Sequence, residues 1–232
     1  MQTPIGSVLE GVLRARLNDA AWTWLADTMG RAGDDEQLFQ AYTAASRRIG
    51  SAPLGPAEVE LAAARAAVPA LNLAHWAGED AARALLLLSR AEVAPTRADD
   101  FTVAAVACYE QGAAREQQSW LRGLPVLPQA ESFLPHAIDA CRGNILPLFE
   151  SIACENPYPA RWFPELNFNQ MVLKALFNGV SLRRIVGLQA RLNAELSRMA
   201  AAYASERRAA GRSVPSDISM AMTTQEDALE PR

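Results

Sequence analysis

Cysteine and histidine are scarce in this chain. Its 232 residues hold three cysteines, Cys108, Cys141 and Cys154, and two histidines, His75 and His136. Three cysteines cannot all pair within one chain. Each lies in an apolar, helix-like context, so a reducing compartment is the plain reading. No C-x-x-C occurs, and the small set of soft ligands argues against a dedicated zinc site. No metal and no cofactor is expected. Long apolar runs are missing as well. The longest, residues 81–88, contains Arg83 and is much too short to span a bilayer. Near the N-terminus, Glu10, Arg14, Arg16 and Asp19 interrupt the apolar core that a signal peptide needs. No transmembrane segment is expected, and a cytoplasmic location follows as an expectation. Positive charge is in deficit: 22 basic residues face 26 acidic ones, a formal net charge of -4. Nucleic acid is therefore not expected as the main partner, because backbone binding needs a concentrated basic surface. Walker, G-x-G-x-x-G, G-x-S-x-G and H-E-x-x-H sequences are absent, which weakens nucleotide, esterase and metalloprotease readings.

What is present is helical. Half of the residues are hydrophobic and 21% are charged, a globular composition with enough chain for a substantial core. Apolar residues recur at helical spacing over 7–29 (Val8, Val12, Leu13, Leu17, Ala20, Ala21, Trp24, Leu25), which predicts one amphipathic helix. Further helices are predicted over about 34–49, 56–68, 77–89, 99–109, 114–124, 135–142, 145–153 and 165–177. A short turn over 181–185 and a last helix from 191 or 192 to about 210 complete the set. The helix with Leu85, Leu86, Leu87 and Leu88 is apolar nearly all round, so it is expected at the centre of the fold. Residues 154–166 read as a turn-rich, proline-rich connection. From 219 the tail reads as polar and disordered. The expected fold class is all-α: an irregular antiparallel helical array resembling HEAT or armadillo repeats. It forms a single domain over 1–218, with a scaffold half at 1–128 and a specialised half at 129–218.

The individuality of the chain lies between Phe133 and Phe177, where polar groups sit inside apolar segments. Buried polar groups are costly unless hydrogen-bonded, so such a cluster is either a structural network or a site. His136 and Asp139 lie three apart on one predicted helix, with Cys141 and Arg142 following. Asp139 can face Arg142 at the same spacing. Glu150, flanked by Leu148, Phe149 and Ile152, reads as the partner of Arg142 or Lys174 across a helix interface. A proton-transfer role for Glu150 or His136 is the alternative, and these two are the catalytic candidates. Glu155 is not on the Glu150 face. Asn156 precedes Pro157 and Tyr158, so it either caps a turn or meets a ligand. Asn144, Tyr158, Asn167, Asn169, Gln170 and Lys174 complete the candidate ligand- or partner-binding set. Asparagines within a helix require caps or tertiary hydrogen bonds, so this strip is an amide-lined pocket or a network that fixes helix register.

The ordered phrases of this region carry a resemblance. Cys141-Arg142-Gly143-Asn144, Pro147-Leu148-Phe149-Glu150-Ser151-Ile152-Ala153 and Glu155-Asn156-Pro157-Tyr158-Pro159-Ala160 resemble the EboA-like family. So do Phe163-Pro164-Glu165-Leu166-Asn167, Asn169-Gln170-Met171-Val172-Leu173-Lys174-Ala175, Arg184-Ile185-Val186-Gly187-Leu188 and the stretch from Asn193 to Gly211. The likeness is close over 132–215 and looser before it. It implies a helical accessory protein encoded in a bacterial metabolite-trafficking cluster, which moves a biosynthetic precursor or terpenoid-like product towards the cell envelope. Its implied partners are the other proteins of that cluster and a small metabolite. The resemblance brings no catalytic residue set, so an adaptor is expected ahead of an enzyme or a purely structural subunit.

Overall fold

The computed structural model describes residues 3–93 and 98–222. Among them are twelve α-helices: α1 (Pro4–Arg14), α2 (Asp19–Met29), α3 (Asp35–Arg48), α4 (Glu58–Ala67), α5 (Gly78–Val93), α6 (Ala98–Glu110), α7 (Ala114–Gly123), α8 (Leu134–Arg142), α9 (Leu146–Ala153), α10 (Tyr158–Trp162), α11 (Glu165–Asn178) and α12 (Ala194–Ala209). The described residues contain no β-strand, only an isolated bridge between Pro53 and Ala77. The fold is all-α. The chain divides into two compact units, 1–140 and 141–232.

The single helix expected over 7–29 is two helices. The apolar period runs on through Leu17, but Asn18 takes an extended backbone and its side chain accepts a hydrogen bond from the Ala21 amide. That N-cap starts a new helix in mid-pattern, because asparagine satisfies an orphan amide better than helix continuation rewards it. The expected start at 99 or 100 becomes Ala98, directly after residues outside the described set.

In the first unit α5 is the central element. It packs against α1, α2, α3, α6 and α7. Leu85, Leu86, Leu87 and Leu88 are all buried, as the apolar pattern predicts. The same helix also buries Glu79, Asp80, Arg83 and Arg90, which the pattern does not announce.

The second unit is built on α9, α10, α11 and α12. Phe149, Ile152, Phe168, Val172, Leu182, Leu196 and Ala200 form its core. The proline-rich connection contains a short helix, α10, because Pro159 sits at a first-turn position where its missing N–H costs nothing. The last helix begins at Ala194 rather than 191, since Asn193 caps it by accepting from the Leu196 amide. α11 ends as expected at Gly179, whose φ of +71° suits a left-handed C-cap. The disorder expected from 219 is not found over 219–221. Ile218–Ala221 is a 3-10 turn whose buried Ile218 and Ala221 anchor it to the unit, and its packing includes α12. Residues 223–232 of that expected tail lie outside the described residues.

Gly187 combines a φ of +75° with crowding: a Cβ there would stand 2.6 Å from the Ala160 Cβ. Gly187→Ala is expected to destabilise the second unit by about 1–3 kcal/mol, combining left-handed strain with a backbone shift. Chemical denaturation checks this; an unchanged midpoint would mean the 185–191 turn relocates freely.

Candidate functional site

The polar cluster between Phe133 and Phe177 consists largely of ties between helix ends. Lys174, the chain's one lysine, extends from α11 and donates to the carbonyls of Cys141 (2.6 Å) and Gly143 (2.5 Å). These carbonyls lie at the end of α8, where a cation is favoured by the helix dipole and the acceptors lack helical partners. The Lys174 amine also lies 5.5 Å from the centre of the Phe149 ring.

Glu150 does not pair with Arg142 or Lys174 in this structure. Its partner is Arg184, whose Nη1 is 3.0 Å from Glu150 Oε1. The same guanidinium grips Glu155 at 2.8 Å and 3.0 Å, and the Glu155 amide donates to the Arg184 carbonyl. Fold-back of the 181–185 turn delivers this arginine, which no helical spacing foretells. Hydrogen bonding to Glu155 holds the Arg184 guanidinium in its charged form, raising its pKa above the ordinary value. Arg184 and Glu150 are each more than a third exposed, so the triad fixes geometry more than it adds stability.

Asn156 is 4% exposed. Its side chain donates to the Ser151 carbonyl at 3.1 Å and accepts from the Tyr158 amide at 3.0 Å. It is thus the turn-capping group between α9 and α10. Tyr158 is buried, edge-on to Phe163 at 6.2 Å. Asn169 and Asn193 form a reciprocal amide pair, with both N···O distances 3.1 Å. Asn193 is itself the cap of α12, so this pair locks α11 against the start of that helix. Arg191 finishes the set, donating to the carbonyls of Ala160 (2.6 Å) and Phe163 (2.8 Å) with its guanidinium 4.6 Å from the centre of the Phe168 ring.

His136 belongs to the first unit. Its Nε2 lies 3.3 Å from Glu110 Oε1, and its ring packs edge-on to Tyr109 and Trp120. Nδ1 is buried with no hydrogen-bond partner among the described residues. Asp139 and Arg142 are exposed and both engaged by neighbours. Asn144 and Gln170 are exposed and Asn167 is half-buried. Their side chains make no hydrogen bond among the described residues. All three thiols are buried, and desolvation pushes each up to about 12. None is a thiolate nucleophile in this setting.

Two features of the first unit escaped the sequence reading. One is a buried charge network on α5. Arg83, fully buried, donates to Glu79 (2.8 Å), Ser119 (2.8 Å), Ser46 (2.7 Å) and the Tyr42 carbonyl (2.9 Å). Ser46 donates in turn to Glu79, and Ser119 donates to Asp80 at 2.6 Å. Burial raises the Tyr42 phenol well above its ordinary value, so it stays protonated and donates to the Glu116 carbonyl. The solvent side of this network opens into a cleft of about 330 Å³ whose lining includes His75, Trp76, Glu79, Asp80, Arg115 and Arg122. Its carboxylates are already engaged, Glu79 by Arg115 at 3.1 Å and Asp80 by Arg122 at 3.4 Å. The i,i+4 spacing of Glu79 and Arg83 is a sequence signal for this pair, but the leucine run obscures it.

The other is a groove of about 770 Å³ between α2 and α3. Trp24 and Phe39 supply aromatic surface, and Arg31, Arg47 and Arg48 supply charge. Gln37 and Gln40 add amides, and none of the described lining residues is acidic. Adjacent arginines in the last turn of α3 hint at it in the sequence, but any helix end attracts such residues.

Among the described residues no helix is long and apolar enough to cross a membrane, and no group of three or more His, Cys, Asp or Glu is placed to hold a metal ion. No curated protein and no solved structure matches the chain. A family does: residues 5–223, nearly the whole chain and well beyond the region where the resemblance is strongest by eye, match the family described as metabolite traffic protein EboA. The matched span includes both the helix-end ties of the second unit and the buried α5 network of the first, and the chain belongs to the EboA family of metabolite traffic proteins.

Proposed function

We propose that this protein serves metabolite traffic by binding, as an accessory or adaptor protein, rather than by catalysis. The observation that carries this reading is the engagement of both acid/base candidates. Glu150 is held by Arg184, and His136 faces Glu110 with its other nitrogen buried against aromatic rings. A general acid or base needs a free face towards substrate. Engagement of this kind suits structural groups, and the raised thiols support the same conclusion.

The partner-facing surface we assign is the outer face of α11. Leu166 and Phe177 are exposed there, at 59% and 75%, on the side that also carries Gln170. Asn167 adjoins it, and the one cation of this helix, Lys174, is occupied with carbonyls. An apolar, amide-bearing face without free charge suits a protein surface better than a charged ligand, since interface centres are depleted in charge and enriched in aromatics. The occupant is another protein of the same trafficking cluster. The cargo is a biosynthetic precursor or terpenoid-like product bound for the cell envelope, and the protein works in the cytoplasm. An irregular antiparallel helical array of HEAT or armadillo type is our reading of the architecture, a form suited to presenting helix faces to partners.

Two changes in the source cell test this. The Glu150→Gln/His136→Gln variant should retain metabolite traffic wherever circular dichroism shows an intact fold. Loss of traffic by that folded variant would instead mark an enzyme. Leu166→Ser/Phe177→Ser should abolish co-purification of the cluster's other proteins without altering the melt. Undiminished co-purification would remove α11 as the docking face.

A further inference from the structure

We infer that the groove between α2 and α3 is a binding site for a small anion attached to a flat apolar group, such as a hydrophobic phosphate or carboxylate. Most arginines of the first unit are held in ion pairs. Arg14 pairs with Asp19, Arg16 with Glu60, Arg65 with Glu58, Arg83 and Arg115 with Glu79, Arg90 with Asp35, and Arg122 with Asp80. The three arginines of that unit with no carboxylate partner among the described residues are Arg31, Arg47 and Arg48, and all three line this one groove.

Helix ends account for part of this. Arg31 Nε donates to the Asp27 carbonyl at 3.2 Å, and Arg47 and Arg48 sit where the α3 dipole favours cations. Those contacts leave the Arg31 Nη groups and the Arg47 guanidinium without acceptors among the described residues. Neighbouring acids do not fill the gap. Asp34 accepts from the Gln37 amide, Asp35 pairs with Arg90, and Glu36 accepts from Gln40. In a chain with a net charge of -4, three arginines without an ion-pair partner among the described residues thus meet in one groove. Guanidinium groups recognise phosphate and carboxylate through paired hydrogen bonds.

The walls supply the second half of the specificity. Trp24 and Phe39 are half-buried, so each ring is fixed by the fold and still presents a face. The Arg48 guanidinium stands 6.0 Å from the centre of the Trp24 ring, which places charge and aromatic surface side by side. Ala41 and Ala44 add no bulk to the lining. At about 770 Å³ the groove falls within the usual range for small-molecule sites. A simple anion would leave the rings unused, and a neutral ring system would leave the arginines unpaired. A ligand with both parts uses both.

The test is calorimetric titration of the full chain with 1-naphthyl phosphate, inorganic phosphate and 1-naphthol. Naphthyl phosphate should bind at least about tenfold more tightly than either half, and less tightly as salt is raised, because the arginines are exposed. Arg31→Gln/Arg47→Gln should weaken it by about tenfold or more while leaving the thermal melt unchanged. Trp24→Leu should weaken the aryl compound and leave inorganic phosphate as it was. Equal binding of all three compounds, or undiminished binding by the arginine pair variant, overturns the assignment. So does association with anionic vesicles of phosphatidylserine in the absence of any affinity for naphthyl phosphate, which would mark a membrane-contact surface instead. This site stands independently of the α11 docking face: loss of naphthyl phosphate binding with co-purification intact sinks only the groove, and the reverse result sinks only the docking face.

Discussion

Arg83→Met should lower the stability of the first unit by about 3–5 kcal/mol, the usual cost of removing one partner from a buried ion pair. The side chain is fully buried, and methionine fills much of its volume, so the loss is electrostatic rather than a cavity. What remains behind is the problem. Glu79 is 2% exposed and would keep only Ser46 and the outer arginine, Arg115. Glu116 Oε1, 3.7 Å from the guanidinium, would lose its neighbouring charge, and the Tyr42 carbonyl its side-chain donor. Urea denaturation should show a lower midpoint with an unchanged slope. Adding Glu79→Gln to Arg83→Met should recover part of the loss, because it removes the stranded charge. A fall of less than about 1 kcal/mol in the single variant would mean that water replaces the guanidinium and the network is not dry.

Trp120→Ala carries a penalty of similar size, about 3–5 kcal/mol. The indole is 1% exposed and packs on Tyr109 (4.6 Å), Phe133 (5.3 Å) and His136 (6.1 Å) between ring centres. Its Nε1 donates to the Ala105 carbonyl at 2.8 Å, tying α7 to α6. Truncation opens a cavity and removes that hydrogen bond together. Trp120→Phe separates the two effects in part: it keeps one aromatic ring in place while losing the hydrogen bond and the second ring, so it should cost less, about 1–3 kcal/mol. Equal losses in both variants would show that the hydrogen bond, not the packing, dominates. Since a domain is stable by about 5–15 kcal/mol in total, either large-effect variant should populate unfolded chain measurably at moderate temperature.

These two residues also show where sequence reading succeeds and where it stops. Trp120 stands as an apolar residue on an otherwise polar helix, a pattern that favours burial, and it is buried. Arg83 was visible only as an interruption in a leucine-rich run. Its acceptors Ser46 and Ser119 come from 37 and 36 residues away, and no local pattern brings them together. In the second unit the same limit decided the meaning of the polar cluster. Asn156 read correctly as a possible turn cap, because its acceptor and donor are within five residues. Glu150 takes neither cation that its sequence neighbourhood suggests, because Arg184 arrives from 34 residues away through a turn. The arginine-rich groove was missed for a related reason: an unpaired charge is recognised only once every potential partner has been located.

By itself the sequence determined an all-helical chain, most helix boundaries, the central leucine-rich helix and the family. Helical period and end caps are encoded within one or two turns, and long ordered phrases identify relatives without reference to contacts. The tertiary structure alone decided which polar groups are ties and which remain free. Lys174 meets Gly143 across 31 residues and Asn169 meets Asn193 across 24. Such pairings are set by which helix faces bury each other, and a buried charge takes whatever partner that packing delivers.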